Sequence, residues 1–215
     1  MLNKNEMIYL SGSLQAEKIG ERKDVGVMIG FRADRKFFGK TKRFNQCLWA
    51  ADNGCFTNPN LNVSDFLDWL KSLKPYQETC LFAVAPDVVG DAKATFERSA
   101  PVLPEIRKLG YEAAYVAQDG QENFNLDWNS FDCLFIGGST DWKCSDASFW
   151  LIREAIKKGK WIHVGRVNSM RRILWARFAG SHSCDGTSLA FAPDKRYADV
   201  EKWLDLIQTQ PALRF

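Results

Sequence analysis

The stretch CLFAVAPDVVGDAKATFERSAPVLPEIRKLGYEAAYVAQ, residues 80–118, decides the fold of this chain. It contains a buried strand over residues 80–85, a helical segment that begins at Asp91 and ends at Gly110, and a second buried strand over residues 113–117. Both apolar runs are continuous rather than alternating, which is typical of strands that are covered on both faces. Two such strands joined by a helix predict a parallel β-α-β unit.

The same alternation of apolar run and helical segment extends along the rest of the chain. The other expected strands lie at residues 8–10, 25–29, 47–51, 133–136, 161–164 and 183–184. Eight parallel strands with intervening helices predict a closed (β/α)8 barrel, a compact TIM-like α/β fold made by one domain over residues 1–215. An open doubly wound sheet is the alternative, but GSLQAEKIG at Gly12 does not match the glycine-rich turn that usually follows its first strand.

Capping residues predict where the helices begin. Four helices are expected to open at Ser64, Asp91, Ser145, and either Asn168 or Ser169. Pro101 and Pro104 interrupt or restart the second of them. A last helix is expected over residues 197–207, with its apolar residues on one face.

The composition narrows the class of protein without identifying it. A chain of 215 residues with 46% hydrophobic content supports one sizeable core, and a net charge of +3 is only mildly basic. The start MLNKNEMIYLSGS has no apolar stretch long enough for a signal peptide, and nothing approaches a membrane span, so we expect a cytoplasmic protein. The six cysteines form no CxC or CxxC pair, which favours reduced thiols over disulfides or structural zinc.

Six apolar runs each stop at a polar or glycine residue. The stops are Asp52, Asp87, Gln118, the pair Gly137 and Gly138, the pair Gly165 and Arg166, and Asp185. In a parallel barrel the loops that follow the strands face one rim, where active sites form. We therefore expect these residues to converge on one enzyme site.

Two of these residues suit covalent glycosyl transfer. Asp185 precedes a glycine turn and can attack an electrophilic carbon, while Asp52 can move a proton to and from the leaving group. Taken singly, each aspartate also fits a turn or capping role.

The remaining stops suit recognition of a planar heterocycle and its sugar. The Asp87 carboxylate accepts from ring N–H groups, and the Gln118 amide both donates and accepts. Gly137 and Gly138 would let their backbone N–H groups approach the ligand, or they form a plain turn. Arg166 can clamp a phosphate or sugar oxygen, or it serves as an ion-pair partner.

Other conspicuous residues have simpler interpretations. His163 lies within a strand and is expected to be a hydrogen-bonded core residue rather than a catalyst, and His182 adjoins a helix end. With two histidines and no ligand spacing, no metal and no cofactor are expected. Trp142 can stack on a base but is more typical of a core.

The basic segment RADRKFFGKTKR, residues 32–43, either binds a nucleic-acid backbone or forms a solvated loop.

The ordered series of motifs resembles a known family. ADNGCF, VAPDVVGDAKATFERS, YVAQDG, FIGGSTDW, HVGR and GSHSCDGTS, between residues 51 and 188, are similar in order and spacing to the barrel of tRNA-guanine transglycosylases. They are more similar still to the short DNA-acting relatives (DpdA-like proteins) that install deazaguanine bases in phage and bacterial DNA. The chain departs from the family in DNGCF, which replaces the serine and second glycine of the usual turn, and it lacks the cysteine-rich zinc module.

The resemblance implies a specific reaction. Asp185 would be the nucleophile at the sugar C1′ and Asp52 the general acid/base, with Asp87, Gln118, Gly137 and Gly138 holding the base. Guanine in DNA, or in tRNA, would be exchanged for a deazapurine such as preQ0 after the target nucleotide leaves its stack. Proteins of this kind often form homodimers. The alternatives are a hydrolase that uses the same site on nucleosides or nucleotides, and a barrel that binds nucleic acid without catalysis.

Overall fold

Eight short parallel strands close on themselves at the centre of the structure. The computed structural model describes residues 6–12, 19, 21–31, 47–190 and 193–209. Its strands are β1 (Ile8–Ser11), β2 (Val25–Gly30), β3 (Trp49–Asp52), β4 (Cys80–Val84), β5 (Ala113–Ala117), β6 (Cys133–Ile136), β7 (Trp161–Val164) and β8 (Ser183–Gly186). Each strand pairs with the next in chain order, and β8 pairs with β1. The TIM-like barrel is therefore confirmed, and the open sheet is wrong.

Helices cover the outside of this barrel. They are α1 (Val63–Ser72), α2 (Ala92–Ser99), α3 (Leu103–Lys108), α4 (Thr140–Lys143), α5 (Asp146–Lys157), α6 (Met170–Ala179) and α7 (Pro193–Thr209). The side chains of Asp91, Ser145 and Ser169 accept backbone N–H groups at the starts of α2, α5 and α6, as their positions in the sequence predict.

Four expectations about the elements need correction. Ser64 does not open α1, because the Asn62 side chain accepts the Asp65 N–H at 3.2 Å and the helix begins one residue before Ser64. The third strand begins at Trp49 rather than at Cys47, since pairing with β2 starts there. The last strand continues to Gly186, because β1 keeps pairing with it to that point. The last helix is also longer than residues 197–207.

The interior of the barrel explains how the site is positioned. One buried cluster takes every second residue of its strands: Ile8, Leu10, Met28, Ala50, Phe82, Val84, Ala114, Val116 and Cys133. Successive side chains of a strand point to opposite faces, so the residue two places further along also points inward. The inward position after Ala50 is Asp52, and the one after Val116 is Gln118. Polar groups thus sit directly above an apolar floor.

A second buried cluster fills the space between barrel and helices, including Trp49, Phe66, Tyr115 and Ile152. All six cysteines carry free thiols, and only Cys144 among them is exposed. No helix in the described ranges is long and apolar enough to cross a membrane. The basic segment 32–43 lies outside the described residues.

Candidate active site

One cavity of about 480 Å³ opens at the carboxyl ends of the strands. All eight residues that the sequence pattern singled out line it: Asp52, Asp87, Gln118, Gly137, Gly138, Gly165, Arg166 and Asp185. They come from strands or strand-following loops of β3 to β8. The residues at the strand ends therefore meet in one cavity, as expected.

Asp52 occupies the β3 side of the cavity in an environment that favours its protonated form. Burial, together with the nearby charges of Asp185 and Asp87, raises the pKa of its carboxyl to about 7. The backbone N–H groups of Gly54 and Asn53 act in the opposite direction. A carboxyl with a pKa near neutrality can both give and take a proton at physiological pH.

Asp185 occupies the β8 side and has different partners. Its Oδ1 lies 2.9 Å from Nε2 of His163, and its Oδ2 accepts the backbone N–H of Arg166 at 3.3 Å. The side chain is 14% exposed, so one part of the carboxylate reaches the cavity while the other contacts the barrel interior. Two carboxyl groups with different surroundings thus share one cavity.

Asp87 and Gln118, which follow the neighbouring strands β4 and β5, form a connected pair beside Asp52. The Gln118 amide donates to Oδ2 of Asp87 at 2.6 Å, and Asn53 donates to Oδ1 at 2.8 Å. Burial raises the pKa of Asp87, while the two donors oppose this effect. Since each oxygen of Asp87 accepts one bond from a side chain, each keeps a lone pair for a ligand donor.

The two glycines after β6 do not present their N–H groups to the cavity. Gly137 donates to Ala117 at 2.9 Å, and Gly138 donates to Oε1 of Gln118 at 2.8 Å. Both N–H groups thus have partners within the protein, and contact of Gly137 and Gly138 with a ligand stays a prediction. A Cβ at Gly137 would lie 2.6 Å from Val116 and 2.9 Å from the Gln118 amide nitrogen, so the missing side chain makes room for Gln118.

Arg166 bridges the mouth of the cavity. Its guanidinium carbon lies 3.5 Å from the centre of the Phe56 ring, which is 60% exposed. Its backbone adopts a positive φ of 59°, and its N–H reaches Asp185 from this conformation. The side chain is exposed, so its cationic face is accessible to an anion.

Three residues in or next to the cavity were not recognised as functional residues from their sequence patterns. Asn53 directly follows Asp52 and orients Asp87. Lys143 is buried and donates to Gly165 O at 2.5 Å, and burial lowers its pKa to about 8. His163 is a buried, hydrogen-bonded residue as predicted, yet it contacts Asp185 directly. Only the position of Asn53 beside Asp52 could have indicated its role from the sequence.

Two other residues have structural roles. His182 accepts the Ile162 N–H and stacks on Trp161, at the end of the barrel opposite the cavity. Trp142 donates its indole N–H to Glu122 at 2.8 Å and is buried. Among the described residues, no group of three or more His, Cys, Asp or Glu is arranged to hold a metal ion.

Comparison with known proteins supports the fold alone. No protein-family model matches the sequence, and no curated protein matches it either. A structure from Aquifex aeolicus VF5, described as a structural study of Project ID, is 12% identical with a TM-score of 0.58. That match covers 95% of this chain and 93% of the other.

A structure from Silicibacter pomeroyi DSS-3, described as a glycerophosphoryl diester phosphodiesterase, is 11% identical with a TM-score of 0.49. It covers 80% of this chain and 54% of the other chain, a similarity too low to indicate a related function. The similarity to the Aquifex aeolicus VF5 structure supports the barrel fold alone.

Proposed function

We propose that this protein is a base-exchange transglycosylase that replaces guanine in DNA with a 7-deazaguanine derivative. The observation that carries the proposal is the pair Asp52 and Asp185, which line one cavity in different electrostatic environments. Retaining glycosyl transfer needs one carboxylate as nucleophile and one carboxyl as acid and then base. A pair of titratable groups in unlike surroundings is how enzymes divide these roles.

In the first half-reaction the Asp185 carboxylate bonds to C1′ of the target nucleotide. The C1′–N9 bond breaks, its electron pair leaves with guanine, and Asp52 gives its proton to the departing base. In the second half-reaction Asp52 takes the N9 proton of the incoming deazapurine. The nitrogen then attacks C1′, and the Asp185 ester is released as a carboxylate. The pKa of Asp52, at about 7, suits both of its steps.

The base would be held by the residues that follow β3, β4 and β5. Asp87 accepts from the ring N–H and amino groups of guanine or deazaguanine, and the bonds from Asn53 and Gln118 keep its carboxylate in a fixed orientation. Arg166 lies at the mouth, where a phosphate or sugar oxygen of the extruded nucleotide would be. These roles need no cofactor.

The same reasoning sets the expected partners. The substrates would be DNA, with tRNA as the alternative polynucleotide, and a free deazapurine such as preQ0. The protein would act in the cytoplasm, which is the host cytoplasm if a phage encodes it, and a homodimer is consistent with the family resemblance. The positive charge of the basic segment 32–43 suits a further contact with phosphates.

Trapping the covalent intermediate tests the proposal. Oligonucleotides in single-stranded, double-stranded and tRNA form are incubated with the protein and labelled preQ0, and the products are separated on denaturing gels. We expect a protein–nucleic acid adduct and label in the polynucleotide with the wild type, and neither with Asp185→Ala. Asp68→Asn, at an exposed position of α1, is the control.

The other outcomes distinguish the alternatives. Release of free guanine without incorporation of label would make the protein a hydrolase. Binding of nucleic acid that is unchanged in Asp52→Asn and Asp185→Asn, with no adduct on any substrate, would make it a non-catalytic binding barrel. Either result would contradict base exchange.

A further inference from the structure

A line of hydrogen bonds runs from the amino-terminal part of the barrel interior up to Asp185. The indole Nε1 of Trp161 lies 2.9 Å from Oγ of Ser183, and that oxygen lies 2.8 Å from Nδ1 of His163. Nε2 of His163 lies 2.9 Å from Oδ1 of Asp185. His163 and Ser183 are completely buried, so no water competes for these bonds.

The donors in this line can be assigned from its two ends. An indole N–H only donates, so Ser183 accepts from Trp161, and its own hydroxyl proton is available for Nδ1 of His163. At the other end the Asp185 carboxylate only accepts, so Nε2 carries the proton that points at it, and in a neutral ring Nδ1 is then the unprotonated nitrogen that accepts from Ser183. Every bond in the line consequently runs in one direction, towards the carboxylate.

The surroundings of His163 favour its neutral form. Its ring packs against Phe82 and Phe135, with centroid distances of 5.0 and 4.5 Å. Burial lowers the pKa of His163, the Asp185 carboxylate opposes that effect, and the Lys143 ammonium reinforces it. A neutral imidazole leaves one proton to donate, which the hydrogen-bond line directs to Asp185.

We infer that His163 is a positioning residue that binds Oδ1 of Asp185 through its Nε2–H, so that Oδ2 is the oxygen that attacks the substrate. This inference rests on the proposed function, because it assigns the nucleophilic atom of that reaction. Oδ1 faces a fully buried ring, whereas the hydrogen bond to Oδ2 from the described part of the chain is the long 3.3 Å contact from Arg166 N–H. As Oδ2 bonds to C1′ and the glycosidic bond breaks, Oδ1 becomes the ester carbonyl oxygen and keeps the bond from His163.

The tautomer of His163 is measurable without any substrate. The chain contains two histidines, so ¹⁵N-histidine labelling yields two ring systems, and His182→Gln identifies the second. We expect the His163 ring to be neutral with its proton on Nε2 between about pH 6 and pH 8. An imidazolium at neutral pH, or a proton on Nδ1, would overturn the inference even in a fully active enzyme.

Kinetics of adduct formation test the positioning role. His163→Phe keeps an aromatic ring in the apolar site but removes the donor, and we expect single-turnover adduct formation to slow roughly 100-fold with little change in KM. His163→Gln retains an amide N–H and should recover most of the rate. His182→Phe, which alters the histidine at the far end of the barrel, is the matched control and should react like the wild type.

The results separate this inference from the proposed function. If His163→Phe does not fold, Ser183→Ala serves instead, since it removes the hydroxyl that directs the tautomer and should slow the reaction about 10-fold. A folded His163→Phe variant that reacts at the wild-type rate contradicts the positioning role while leaving base exchange intact. A wild-type protein that forms no adduct overturns base exchange itself, and the role of His163 with it.

Discussion

The carboxyl groups of Asp52 and Asp185 face one cavity from strands β3 and β8, and the charge of Asp185 contributes to the raised pKa of Asp52. The two strands are not neighbours in the barrel, since β1 and β2 lie between them. Closure of the sheet between β1 and β8 brings the last strand back towards the first ones. The electrostatic coupling of the pair is therefore a property of the closed barrel.

The raised pKa of Asp52 predicts that Asp52→Asn stabilises the protein at neutral and higher pH. Folded Asp52 holds its proton up to about pH 7, against an ordinary value of 3.8, so the wild type loses stability between these values as the pH rises. Asparagine has no proton to lose. A shift of this size corresponds to about 4 kcal/mol, which water in the open cavity reduces to about 1–2 kcal/mol.

Urea unfolding at a series of pH values measures this difference. The free energy of unfolding of Asp52→Asn, relative to the wild type, should increase from pH 4 towards pH 7 and then stay constant. Asp68→Asn, on the exposed face of α1, should show no such trend. Equal stability of Asp52→Asn and wild type across this range would show that ionisation of Asp52 does not lower the free energy of unfolding.

In the proposed reaction, the same group donates the proton of the first chemical step. Asp52 must be protonated to give a proton to the leaving base, so the single-turnover rate of adduct formation should fall as the pH rises above about 7. Asp52→Asn should lower this rate by about 10²- to 10⁴-fold and abolish its dependence on pH in this range. Stopped reactions resolved on denaturing gels supply the rates. A wild-type rate that stays flat from about pH 6 to pH 9 would assign the acid to another residue.

Because Arg166 has a positive φ, two substitutions can distinguish the cost of its backbone conformation from the contribution of its side chain. Arg166→Gly and Arg166→Ala both remove the contact with Phe56, but only glycine adopts a φ of 59° without strain. Arg166→Gly should therefore be more stable than Arg166→Ala by about 1 kcal/mol in thermal unfolding. Both variants should bind oligonucleotides more weakly and to a similar extent. Equal stability of the two would mean that the loop relaxes when the arginine is lost.

We expect that no larger residue can replace Gly165, because neighbouring side chains occupy the space that its Cβ would need. A Cβ there would lie 2.6 Å from the Phe135 ring and 3.4 Å from Oδ1 of Asp185. Gly165→Ala should destabilise the fold by about 1–3 kcal/mol and slow adduct formation by displacing the carboxylate. Adding Phe135→Leu should recover part of both losses, because it removes the ring in the path of the methyl group. If the double variant recovers neither loss, the clash with Phe135 is not the cause of the defect in Gly165→Ala.

Much of the architecture could be predicted because its signals are local. Continuous apolar runs predicted all eight strands to within two residues, and Asp91, Ser145 and Ser169 cap the helices that they were expected to open. Asn62 shows the limit of such signals. Two capping residues, Asn62 and Ser64, stand close together, and the backbone conformation at Asn62 decides between them.

By itself, the sequence determined which residues reach the rim. The carboxyl ends of all the parallel strands lie at the same rim, so a residue that ends a strand is placed there. Asp52, Gln118 and Asp185 are therefore found together. Only the tertiary structure decided what those residues do electrostatically. Burial of Lys143 against Gly165, contact of His163 with Asp185, and the raised pKa of Asp52 all depend on groups distant in the chain. Charge and proton position respond to distances in space, and spacing along a sequence does not contain those distances.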